Sequence, residues 1–347
     1  MVKSDIMRSL GFVKAMRLCY DFASSLFHHL FALALKVPDI LLSALPVILS
    51  VIVVLCLGQL LSRTILQDAT FWQGISKLSY WVLFPALLFK TMSQSDFTGM
   101  QVDAVLVTML IGLFGVFTIM WIMGRKAKLA NPDLSSLLQG AFRHNGFMAL
   151  AILAGLYGEA GVEIGTLCIA VLVPPSNVLS VVVLIYLNKR HSQVNIGQLL
   201  IKEIARNPLI LAIIAGLIAK YMPLPTPQII LETAALLGRG ALPALLLAVG
   251  AGVQFTSQIK GSIIPLGLAL LAKIIVFPAI LVTTALFFGI EGITLSIIAI
   301  FGVMPTAVSS YALAKELDGN AALMAEIISF QTFLSLPAML VWLFFLG

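Results

Sequence analysis

Apolar positions along this chain fall in long blocks separated by short polar stretches, and ten blocks reach membrane-spanning length: 41–61, 74–93, 103–124, 134–157, 162–187, 205–222, 231–253, 262–288, 293–314 and 322–346. A helix crosses the hydrocarbon core with about 20 mostly apolar residues, so each block reads as one span. Several contain Gly or Pro, which lipid-embedded helices tolerate when neighbours satisfy the freed backbone groups. The expected class is an all-α polytopic membrane protein.

Composition agrees. Of 347 residues, 60% are hydrophobic and 10% charged, against about 25% charged in an ordinary soluble domain. Ten spans leave no room for a soluble catalytic domain. The net charge of +6 reports topology rather than nucleic-acid binding, because basic residues in short loops stay on the cytoplasmic side. Alternate connections collect Arg63, Lys77, Arg125, Lys126, Lys128, Lys189, Arg190, Lys202, Arg206, Lys260 and Lys315, while the opposite loops offer Lys220. The 189–204 connection is therefore expected in the cytoplasm. An even span count then puts the start of span 1 and the C-terminus outside, periplasmic if the membrane is the bacterial inner (cell) membrane.

Residues 1–40 run against this pattern, since Lys3, Arg8, Lys14, Arg17 and Lys36 would lie on the wrong side. Three readings stay open: an interfacial amphipathic helix, an eleventh span over 18–35, or an over-called start codon. A cleaved signal peptide is disfavoured because no small-x-small site closes the apolar stretch. Cys19, Cys56 and Cys168 lie far apart without C-x-x-C spacing, and His28, His29, His144 and His191 form no H-E-x-x-H. Neither a metalloenzyme nor a nucleotide-driven pump is expected, and no cofactor.

The chain compared with itself at a shift of roughly 160 residues shows an internal repeat. Leu45-Pro46 returns as Asn207-Pro208, Pro85-Ala86-Leu87-Leu88 as Pro243-Ala244-Leu245-Leu246, and Pro174-Pro175 as Pro337, while Arg143–Gly146 falls opposite Val303–Thr306. The repeats span 41–188 and 205–347. Each holds five spans, an odd number, so the second copy enters the membrane from the opposite face. Inverted repeats of this kind place a binding site near the midplane, where discontinuous helices meet.

The polar residues in mid-span say where. Span 4 carries Arg143-His144-Asn145-Gly146 and span 9 carries Met304-Pro305-Thr306 followed by Ser309, at depths where polar groups are costly. Pro305 removes a backbone donor and Gly146 loosens the helix, so both spans should break, with new half-helices starting at about Gly146 and Pro305. Their N-termini carry positive dipole ends that suit an anion.

Each residue also has a plainer reading. Arg143 either turns inward to a carboxylate or snorkels to an interface. His144 exchanges protons or is satisfied by a backbone carbonyl. The Asn145 amide can serve a ligand and the broken backbone together. Ser176 and Asn177 follow Pro174-Pro175 and either meet substrate or cap the groups those prolines free. Thr306 and Ser309 can bond their own helix. Lys90, Lys273 and Glu326 are the other ionisable groups within spans, with Glu326 the candidate for proton coupling.

From about residue 41 onward the chain resembles the auxin efflux carrier family of membrane transporters, which includes bacterial permeases for malonate and malate and the plant auxin exporters. The resemblance rests on Phe84-Pro85-Ala86-Leu87-Leu88-Phe89, Arg206-Asn207-Pro208-Leu209, Leu242-Pro243 with Gly250, and Pro305 followed by Ala314-Lys315-Glu316. It implies ten helices in two inverted five-helix repeats, a scaffold of helices 1, 2, 6 and 7, and a transport bundle with crossed helices 4 and 9. It also implies that Asn145 contacts substrate, with Asn177 nearby. The sequence departs where the family often has Gly-x-Pro after the asparagine: the aligned positions read Leu150-Ala151-Ile152.

The expected function is secondary transport of a small organic anion by alternating access. Its rivals are a sodium-coupled carrier of the bile-acid symporter type and a membrane sensor that binds without transport. The expected partners are that anion and the lipid bilayer, with a homodimer through the scaffold helices as the candidate assembly and no nucleic acid.

Overall fold

The structure is a computed structural model and describes residues 39–98, 101–188, 198, 201, 205–252 and 263–346. The N-terminal extension and nearly all of the 189–204 connection lie outside the described residues. Among the described residues the fold is entirely helical, as the apolar blocks require. Six helical stretches are long and apolar enough to cross a membrane: Ala44–Arg63, Val102–Lys126, Asn131–Leu187, Gln228–Gly252, Ile263–Phe287 and Ala321–Leu346.

Span 1 folds as α1 (Asp39–Arg63). Span 2 becomes α2 (Ala69–Leu78), a π turn at Ser79–Leu83 and α3 (Phe84–Gln94). The Asp68 carboxylate starts α2 by accepting the Thr70 N–H at 2.8 Å, an N-cap that satisfies one of the first turn's orphan donors. Span 3 is α4 (Val102–Lys126). Spans 6 and 7 are α7 (Pro208–Tyr221), capped by the Asn207 side chain, and α8 (Gln228–Gly252). Span 8 repeats the pattern of span 2: α9 (Ile263–Leu271), a π turn at Ala272–Val276 and α10 (Phe277–Phe287).

Each π turn ends one residue before a Phe-Pro pair, and the reason is local. Proline supplies no N–H and its ring crowds the preceding turn, so the helix widens by a residue to pass it. Phe84 donates to the Ser79 carbonyl and Phe277 to the Ala272 carbonyl, in i→i−5 register. The carbonyl that Pro278 leaves unpaired four residues back, on Ile274, accepts the Trp342 indole N–H at 2.9 Å.

Spans 4 and 9 are interrupted. Span 4 is α5 (Asn131–Phe142) followed, after the non-helical residues 143–145, by the start of α6 (Gly146–Leu187). Span 9 is α11 (Gly292–Val303), the extended residues 304–307, and α12 (Ser309–Glu316). The chain ends in α13 (Ala321–Leu346). Two boundaries differ from expectation. The second half of span 9 starts at Ser309 rather than Pro305, because the Pro305 carbonyl and the Thr306 N–H are engaged by other segments. The expected loop between spans 4 and 5 is a single-residue kink at Gly158, whose φ of 57° lies in the left-handed region open to glycine. Beside it Glu159 pairs with Lys90 at 3.2 Å.

The helices α1, α3, α7 and α8 pack mainly on one another, as do α4, α5, α6 and α9–α13. Within the first group, α1 and α8 meet at two reciprocal glycines: a Cβ at Gly58 would overlap the Leu247 backbone, and one at Gly250 would overlap the Leu55 carbonyl. With backbone rather than a side-chain tip in the way, the helices must move apart. Gly250→Ala is expected to cost about 1–3 kcal/mol, the usual price of overpacking, read as a lowered melting temperature of the purified protein.

Candidate functional site

The two interruptions lie against each other. Asn145 donates its backbone N–H to the Pro305 carbonyl at 2.7 Å. Its side-chain oxygen accepts the Met148 N–H at 3.1 Å and so caps α6. That use of the oxygen leaves the amide NH2 for the cavity that Asn145 lines. Gly146 follows because space demands it: a Cβ there would come within 2.8 Å of Ile169 in the second half of α6. Leu150-Ala151-Ile152 continue as regular helix; the break is complete before them.

Behind the crossing stands Gln331 of α13, fully buried. Its Oε1 accepts the Thr306 N–H at 2.9 Å and hydroxyl at 2.7 Å. Its Nε2 donates to the Gly140 and Ala269 carbonyls at 2.9 and 3.0 Å. One amide thus fills its whole hydrogen-bonding capacity while tying together α5, α9 and the break in span 9. The Thr306 hydroxyl also lies 3.0 Å from the Gly140 carbonyl. Its bonds therefore run to other helices, not to its own as its plainer reading had it.

In front of the crossing is a cavity of about 320 Å³. Arg143 enters it, with Nη2 donating to Asn177 Oδ1 and Ser309 Oγ at 3.0 Å each. The wall is polar on this side, through Arg143, Asn145, Ser176, Asn177 and Ser309, and apolar elsewhere, through Tyr80, Phe147, Ile169, Val173, Val181, Leu209, Ala307 and Leu313. No Asp or Glu is among the described residues that line it.

Of the ten residues singled out from the sequence, Arg143, His144, Asn145, Gly146, Ser176, Asn177 and Ser309 line this cavity. The Ser176 hydroxyl turns to the Val173 carbonyl of its own helix at 3.0 Å. The His144 ring packs edge-on to Phe301, centroids 5.9 Å apart, and both its nitrogens are buried. Pro305 and Thr306 shape the crossing from behind without lining the cavity, and Glu326, buried on α13, does not line it either. Sequence reasoning passed over Gln331, although an amide in mid-span is itself a signal. It named Lys273 without a partner. Lys273 is wholly buried in the π turn of span 8 and donates to the Arg143 carbonyl at 2.7 Å, with its ammonium 4.8 Å from the Phe277 ring centre.

A family described as "Membrane transport protein" matches residues 43–343. The chain belongs to this family. It is the auxin efflux carrier type of membrane transport that the sequence motifs resemble. An "Uncharacterized transporter" from Methanothermobacter thermautotrophicus is 23% identical to this membrane transport protein over 298 residues, covering 85% of this chain and 96% of the relative. The protein is an integral membrane transporter rather than an enzyme. Its substrate is a small molecule and its surroundings are membrane lipid.

Proposed function

We propose that this transporter carries a small organic anion, such as a carboxylate, by alternating access around the cavity at the two helix breaks. The observation that carries the reading is the composition of the wall: the Arg143 guanidinium and the Asn145 amide, with no carboxylate among the described residues that line it. Arginine is suited to carboxylate oxygens, which its planar fork can bind in pairs. Sodium coupling through this cavity is disfavoured, because hard cations take oxygen ligands that usually include carboxylates.

The architecture proposed is ten spans in two inverted repeats, 41–188 and 205–347. In its favour, α5 and α11 are both 12-residue helices, about 160 positions apart, and each ends at a break. The group α1, α3, α7 and α8, with α2 as the first part of span 2, is the scaffold, and α4, α5, α6 and α9–α13 form the moving bundle. By the distribution of basic loops, the 189–204 connection is cytoplasmic and the C-terminus periplasmic in a bacterial inner membrane. A homodimer would form through the scaffold. Glu326 is kept as a candidate for proton coupling outside the substrate cavity.

Ligand stabilisation of the purified protein tests the chemistry. Carboxylates should raise the melting temperature where their amides do not, and uptake into proteoliposomes should follow the same ranking. Arg143→Gln should weaken carboxylate binding by about tenfold or more, the scale of one charge-assisted hydrogen bond, with little effect on neutral compounds. Equal effects on both would give Arg143 a structural role. Saturable binding without flux would make the protein a sensor.

A further inference from the structure

Four helix ends converge on the crossing, and their charges need to be summed. The N-termini of α6 and α12 each carry about half a positive charge, and the C-termini of α5 and α11 about half a negative charge each. Two ends of each sign cancel to first order. The breaks alone therefore do not make the cavity positive, and Arg143 would be its sole source of sign.

Lys273 changes that sum. Its ammonium lies against the carbonyl of Arg143, the residue that closes the C-terminal end of α5. Lys273 is 0% exposed, and no carboxylate lies within ion-pair distance of it among the described residues. The carbonyl end of α5 and the Phe277 ring face are what it has in place of a counterion. A buried charge acts through a low-dielectric interior, where its field is weakly screened. Lys273 is the second residue of the π turn Ala272–Val276, and such turns within helices are frequent at functional sites.

We infer that the Arg143 carbonyl and the Phe277 ring face hold Lys273 as an ammonium and that it is a positioning residue that selects for anions: it offsets the carbonyl end of α5 and holds the Arg143 backbone, so that only the carbonyl end of α11 still opposes the positive ends of α6 and α12. Lys273 does not line the cavity, so it acts through Arg143. This role rests on the anion reading above.

The test measures dissociation constants of the full-length purified protein for malonate and benzoate and for their neutral counterparts malonamide and benzamide. Lys273→Gln keeps a donor for the Arg143 carbonyl and removes the charge; Lys273→Arg keeps the charge. Lys273→Gln should weaken both carboxylates by about tenfold, equivalent to 1.4 kcal/mol, leave the amides within about twofold, and lose little melting temperature. Lys273→Arg should restore carboxylate binding. If Lys273→Gln does not fold, Lys273→Arg carries the test: it must keep the preference of carboxylate over amide. Unchanged carboxylate binding in Lys273→Gln, or equal weakening of carboxylates and amides, overturns the role. A wild-type protein that binds neither carboxylate overturns the anion reading itself, and this role with it, whatever the variants do.

Discussion

Asn145→Ala is expected to abolish transport and leave folded protein in the membrane. The substitution keeps the backbone bond to the Pro305 carbonyl, so the two breaks stay joined. It removes the cap on the Met148 N–H, a loss of about 1 kcal/mol, small against a folding stability of about 5–15 kcal/mol. What disappears completely is the amide donor at the cavity wall. A hydrogen bond to a charged group contributes about 1.5–3 kcal/mol, so binding alone should weaken by roughly tenfold to a hundredfold. Asn145→Asp separates the two duties, because it restores the cap oxygen but turns a negative charge toward an anionic substrate. It should fold at least as well as Asn145→Ala and transport no better. Flux in proteoliposomes, read beside melting temperature, checks both variants, and wild-type flux from Asn145→Ala would remove Asn145 from the site.

Gln331→Leu should instead fail at the level of structure. Leucine has nearly the right volume but no polar atoms, so the Thr306 N–H and the Ala269 carbonyl lose the amide's bonds in a setting without water, and Gly140 keeps the Thr306 hydroxyl as its partner. Leaving a buried group unsatisfied costs about 1–3 kcal/mol, so these two reach about 2–6 kcal/mol, a large part of a domain's whole stability of about 5–15 kcal/mol. The expected result is little folded protein, or a protein whose melting temperature falls by well over ten degrees. Gln331→Glu, which keeps the acceptor for Thr306 and loses the donors, should be intermediate. A Gln331→Leu protein as stable as wild type would mean that the crossing does not depend on this amide.

Much of this was legible in the sequence because it is local. Apolar blocks of spanning length give helices, Pro305 and Gly146 mark the breaks, and mid-span polar residues point to a shared centre. Arg143, Asn145, Asn177 and Ser309 meet there. Partner choice over long separations was not legible. No local pattern tells Lys273 to seek the carbonyl of Arg143, or Gln331 to seek Gly140. Glu326 shows a second limit. Its helix is apolar all round, so periodicity does not say which face turns to the site, and the structure places Glu326 away from the cavity lining. Gly158 shows a third: one glycine with a positive φ turns the chain where four weakly apolar residues read as a loop.

The most direct test of alternating access is flux with the seam between scaffold and bundle locked. Val47 of α1 packs on Gly155 of α6, and a Cβ at Gly155 would lie 3.4 Å from the Val47 Cβ, close to the range of about 3.5–4.5 Å that a disulfide joins. In a protein whose Cys19, Cys56 and Cys168 are replaced by serine, the pair Val47→Cys and Gly155→Cys should close on oxidation. Carboxylate flux in proteoliposomes should then stop while binding persists, and reduction should restore it; full flux with the disulfide closed would contradict movement of the bundle against the scaffold.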